Sequence, residues 1–137
     1  MKNRKNIIFI ILELLSGIGI GILSTYLLIP NVPILDLNLS IILGFLIFAL
    51  SAIIGIGIPG FFHSIFKGNN SNFGIGIGNA IIGVLLGLLL SGILSSMASS
   101  FLPNGISAVL IPILTTVLCG VIGFNYGIKK QLEMNEK

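Results

Sequence analysis

Apolar residues come in four long stretches, each closed by a short segment rich in Pro, Gly, Asn or Ser. The stretches are too long and too uniformly apolar for soluble amphipathic helices, and each is near the roughly 20 residues a transmembrane helix needs. They predict helices at about 7–29, 39–58, 73–97 and 106–127. Pro30, Pro33, Asp36 and Asn38 mark the first connection, because proline removes a backbone donor and disfavours helix just before it. Pro59-Gly60 is expected to end or kink the second helix. The following residues, about 60–67, read as a short interfacial turn with Phe61, Phe62, Ile65 and Phe66 on one side and His63, Ser64 and Lys67 toward the other. Residues 68–72 form a polar loop and 99–105 a second outer turn, and Pro112 is expected to bend the fourth helix. The fold class that follows is all-α: a four-helix transmembrane bundle forming a single integral membrane domain over residues 1–137.

A basic segment ahead of an apolar run is also how a secretory signal begins. The run from Ile7 to Ile29 exceeds an h-region of about 7–15 residues, Glu13 interrupts it, and no convincing small-x-small site closes it. It is therefore read as an uncleaved first span of ~34 Å, with Tyr26 suited to the headgroup region.

A second pattern lies inside the apolar stretches. Small or polar residues recur every fourth position at Asn79, Gly83, Gly87, Ser91 and Ser95, and residues four apart share a helix face. Gly17 and Gly21 on the first helix, Ser51, Gly55 and Pro59 on the second, and Thr115, Cys119, Gly123 and Gly127 on the fourth continue the theme. Gly17–Gly21, Gly74–Gly78 and Gly83–Gly87 are GxxxG pairs, a spacing that lets membrane helices approach closely. These seams serve either packing within one chain or a self-associating face. The two halves also align weakly, Leu14-Leu15-Ser16-Gly17 with Leu89-Leu90-Ser91-Gly92. This reads either as a parallel duplication of a helical hairpin or as the chance self-similarity of a Leu/Ile/Gly/Ser sequence.

Composition excludes a water-soluble domain. The chain is 55% hydrophobic and 8% charged, with mean hydropathy +1.14, whereas soluble domains are about one-quarter charged. Its net charge of +3 does not suggest nucleic acid, because the basic residues lie at chain ends and in one loop. Lys2, Arg4 and Lys5 precede the first helix, Lys67 lies between the second and third, and Lys129-Lys130 follow the fourth, while the opposite loops hold no Lys or Arg. The positive-inside bias then predicts a multi-pass cell-membrane protein with both termini cytoplasmic. Cys119 is the only cysteine, which rules out an intramolecular disulfide.

Glu13 is the one acidic residue well inside a span. A carboxyl facing lipid is costly; insertion scales put Asp at ~2.5–3.5 kcal/mol near a helix centre, and Glu should be similar. It is therefore expected to face the bundle interior, with Asn79, Thr115 and Thr116 as candidate hydrogen-bond partners. It serves either as a proton- or cation-handling group or as a structural cross-link. His63 has no companion ligand at metal-binding spacing, the spans offer no nucleophile–base pair, and GIGIGNAIIG lacks the Lys-Ser/Thr of a phosphate loop. No enzyme activity, metal or cofactor is expected.

The glycine repeats with a lone intramembrane Glu are similar to rotary-ATPase proteolipid subunits. Here, however, Glu13 lies in the first helix and no polar Arg-Gln-Pro-type loop is present. Four helices and a Glu at this depth are similar to small multidrug exporters, but the aromatic residues of that binding site are missing and the chain has no Trp. Neither family is assigned. Two functions follow as expectations. The first is a non-enzymatic accessory, assembly or protective (immunity-like) protein working through helix contacts, as a homo-oligomer or a partner in a membrane complex. The second is a small proton- or cation-coupled transporter or channel subunit using Glu13. A water-filled cavity reaching Glu13 favours the second; a dry, bonded Glu13 favours the first.

Overall fold

The computed structural model describes residues 2–28, 37–66, 72–101 and 103–135. They form four helices: α1 (Lys2–Leu28), α2 (Leu37–Phe66), α3 (Asn72–Ala98) and α4 (Asn104–Asn135). Each contains a stretch long and apolar enough to cross a membrane: Asn6–Leu28, Leu39–Phe66, Phe73–Ala98 and Ala108–Lys129. Of the expected first connection, residues 30–36 lie outside the described residues and Asn38 falls within α2; of the expected loop at 68–72, residues 68–71 lie outside them and Asn72 begins α3. Between α3 and α4 the chain turns through Ser99–Phe101, with Ser99 N–H donating to Ser95 O and Phe101 N–H to Ala98 O.

One expectation is corrected here. Pro59-Gly60 neither ends α2 nor begins a separate interfacial turn, and the helix continues to Phe66. A proline at 59 deprives the Gly55 carbonyl of its usual helical donor. The neighbouring helix offers a replacement, since Ser16 Oγ on α1 lies 2.6 Å from Gly55 O. The same hydroxyl is 2.7 Å from Leu12 O, so its single proton serves both carbonyls in turn. Pro112 is likewise accommodated within α4.

The helices associate as two pairs. α1 packs mainly on α2 and α3 mainly on α4; the pairs meet chiefly through α2 and α3, with further contacts of α4 on α1 and α2, and α1 and α3 do not touch among the described residues. The buried core is a thin column of small and medium side chains, Ala52, Ile56, Ala80, Val117 and Val121, with Phe48 and Phe124 toward its two ends. Outside, Ile and Leu residues such as Ile11, Leu50, Leu89 and Ile122 stand exposed along every helix. An exterior as apolar as the interior fits immersion in hydrocarbon, where lipid supplies the solvent for the outer faces.

Helix contact depends on the near absence of side chains at a few positions. A Cβ added at Gly55 would sit 2.5 Å from Ser16 O and 2.8 Å from Gly17 Cα, so α1 and α2 touch backbone to backbone there. Added Cβ atoms at Gly83 and Gly123 would run into the Cys119 and Asn79 carbonyls, and one at Gly87 would lie 2.7 Å from Thr115 O. Gly17 abuts Val117 and Ile56, and Gly21 abuts the Phe48 ring. The Gly74–Gly78 pair differs, because among the described residues nothing comes within 4 Å of a Cβ at either position.

Candidate functional site

Glu13 is completely buried, and both of its carboxylate oxygens are occupied. Oε1 lies 2.9 Å from His63 Nδ1, and Oε2 accepts a 2.6 Å hydrogen bond from Asn125 Nδ2. The remaining Nδ2 proton of Asn125 goes to Val121 O at 2.9 Å. Three helices meet at this carboxyl: α1 supplies it, α2 the imidazole and α4 the amide.

Local structure explains how the three residues reach one point. The residues N-terminal to Glu13 in α1, C-terminal to His63 in α2 and C-terminal to Asn125 in α4 all run to the same end of the bundle. Phe9 stacks on His63 there, with ring centroids 4.8 Å apart and planes 7° from parallel, and Phe66 tilts against Phe9. Phe61, Phe73 and Phe124 continue an aromatic chain into α3 and α4. His63 is only 1% exposed, so the expectation that it lies on the polar side of a surface turn is corrected. It is inside because α2 continues past Pro59 and turns position 63 toward α1. Among the described residues its second nitrogen, Nε2, is buried and has no hydrogen-bond partner.

The expected partners of Glu13 are corrected as well. Asn79 Nδ2 donates back to Ile75 O and Thr115 Oγ1 to Ile111 O, while the Thr116 hydroxyl is buried without a partner. None of the three bonds to Glu13. Of the other seam residues, Ser91 donates to Leu88 O, and the Ser95 hydroxyl is buried without a partner.

The chemistry of the cluster follows from proton bookkeeping. The Glu13–His63 contact requires a proton between Oε1 and Nδ1, because two bare acceptors at 2.9 Å would repel. Oε2 is held as an acceptor by Asn125. The site can therefore share, gain or lose a proton, but it offers neither a nucleophile–base pair nor three grouped ligands; no group of three His, Cys, Asp or Glu residues occurs among the described residues. Hollows on the bundle exterior are apolar. The one between the helix pairs, about 420 Å³, is lined by Phe45, Leu88, Ser95 and Pro112, and none of those described is lined by Glu13, His63 or Asn125. Compared with known proteins, the chain matches no family model, no curated protein and no solved structure.

Proposed function

We propose that this protein is a non-enzymatic integral membrane protein that acts on other membrane proteins through its outer helix faces, in an accessory, assembly or protective (immunity-like) role. The observation that carries this reading is the state of Glu13: fully buried, bonded at both oxygens, and lining none of the hollows described. A carboxyl that handles a transported ion must be reached by water or cargo. This one serves instead as a three-helix cross-link. The open Gly74–Gly78 face on α3 adds a surface where another helix could approach the backbone. The setting proposed is the cell membrane, with both termini cytoplasmic, because the basic residues flank that side.

Mass measurement of the protein extracted in mild detergent, together with flux assays in proteoliposomes, tests the reading. A homo-oligomer or a hetero-complex with no proton or cation flux is the expected result. A monomer with flux that Glu13→Gln abolishes would replace this reading with a second one, a small proton- or cation-coupled transporter. The observation favouring that alternative is the unpartnered, buried Nε2 of His63.

A further inference from the structure

We infer that the Glu13–His63 pair is a reversible proton-binding site reached from one side of the membrane only, the side that carries the chain termini, with His63 Nε2 as the atom that takes the proton. This rests on neither of the two functional readings above, because a proton site of this kind can regulate an accessory protein as readily as it can drive a transporter.

Three independent observations point to it. First, both carboxylate oxygens, His63 Nδ1 and Asn125 Nδ2 are already engaged. Oε1 and Nδ1 share a proton, and Asn125 gives one proton to Oε2 and the other to Val121 O. Nε2 alone is buried and unpaired, so it is where exchange with water must occur. Second, the site lies much nearer one end. Glu13 is seven residues from the start of its span at Asn6, ~10 Å by helical rise, and fifteen from the other end at Leu28, ~22 Å. His63 is three residues from the end of α2 at Phe66. On the short side the Phe9 ring lies on the imidazole and Phe66 tilts against Phe9. On the long side stand Gly17 against Val117 and Ile56, and then the buried apolar Ala52 and Phe48. Third, Phe9 lies flat on the imidazole, so its ring face is placed to stabilise an imidazolium.

The proton balance is simple. With one proton between Oε1 and Nδ1 and none on Nε2, the pair carries a single net negative charge. Transfer of a proton from an incoming hydronium to Nε2 forms an N–H bond, releases water, and leaves a net-neutral carboxylate–imidazolium pair. Among the described side chains no other titratable group is bonded to the pair: α2 contributes His63 and α4 contributes Asn125. Further along α4, Tyr126 and Lys129 are exposed, and α3 does not reach α1.

The chain has a single histidine, which makes the test direct. ¹⁵N-histidine labelling of the full chain in vesicles of one orientation gives the spectrum of His63 alone. Lowering the pH on the terminus-bearing side should convert Nε2 from the unprotonated to the protonated signal, while the same change on the far side should leave it unaltered. Phe9→Ala uncovers the ring and should speed exchange at Nε2 roughly tenfold or more, with the fold intact. Three results would overturn the inference: an Nε2 signal indifferent to pH on both sides while the protein stays folded, a response to the far side, or an exchange rate unchanged in Phe9→Ala.

Discussion

Ser16 is the residue whose role is most easily missed. On sequence it is one more small side chain in an apolar helix. In the fold its hydroxyl lies 2.6 Å from the Gly55 carbonyl, the group that Pro59 strips of its helical donor. The two residues are thus coupled across a helix contact, and a double-mutant cycle should show it. Ser16→Ala should cost about 1–2 kcal/mol in unfolding stability, the range for a buried acceptor left unsatisfied. In a Pro59→Ala background, where residue 59 again offers an N–H to Gly55 O, the same change should cost close to nothing. Equal costs in both backgrounds, measured by reversible unfolding in detergent, would show that Ser16 is not supporting the proline. The same scale explains what could be read of the site in advance. Glu13 was legible because a carboxyl in an apolar run has to be compensated. Its partners were not, because a partner needs both the right depth and a helix that touches α1. Thr115 is fourteen residues from the Lys129 end of its span, ~21 Å deep, too far to meet a group ~10 Å deep. Asn79, six residues from Phe73, has the right depth but sits on α3, which does not touch α1. His63 and Asn125 combine the right depth with the right helices. Listing the polar residues near one end of each span would have produced both, had Pro59-Gly60 not been read as the end of a helix.

The helices themselves were legible because hydropathy over about 20 residues is a strong signal, and the described boundaries mostly extend it outward. What the spacing of glycines could not reveal is which of them are used. Gly17–Gly21, Gly83–Gly87 and Gly74–Gly78 look alike as text, yet among the described residues only the first two pairs meet a neighbour. The difference lies in rotation about the helix axis, which the neighbouring helices set and a motif does not encode. A substitution series separates them. Gly83→Ala places a methyl group against the Cys119 carbonyl, a backbone atom that cannot swing away, so α3 and α4 must part. A loss of roughly 1–3 kcal/mol is expected, as for overpacking elsewhere. Gly74→Ala and Gly78→Ala meet open space, and alanine is the better helix former by about 1 kcal/mol in soluble helices. Their effect on the isolated chain should be neutral or slightly stabilising. If either one weakens an oligomer or a complex while thermal unfolding of the monomer is unchanged, the Gly74–Gly78 face is the contact surface. If both leave assembly intact, that face meets only lipid.

Taken as a whole, the bundle differs at its two ends. At the end bearing the termini, the helix pairs are tied together by the Glu13–Asn125 bond between α1 and α4 and by the Phe61–Phe73 edge contact between α2 and α3. At the other end the same pairs diverge around the apolar hollow lined by Ile42, Phe45 and Leu46 of α2, Ser91 and Ser95 of α3, and Ala108 and Pro112 of α4. The basic residues follow the tied end. Lys2, Arg4 and Lys5 begin α1, Lys67 follows α2, and Lys129 and Lys130 lie on the last part of α4. A bias this one-sided should fix a single orientation, because Lys and Arg near helix ends decide which side is retained in the cytoplasm. In the orientation proposed above, the Glu13–His63 pair would face the cytoplasm and the hollow would face outward. Single cysteines in a Cys119→Ala background check this with a membrane-impermeant thiol reagent on intact cells. Ser100→Cys, at the exposed turn after α3, should label at once, and Asn3→Cys only after the membrane is permeabilised. The reverse labelling would invert the molecule and place the carboxyl–imidazole pair under the control of external pH. Labelling of both in intact cells would mean that copies insert in both orientations, and that the charge asymmetry is too weak to choose between them.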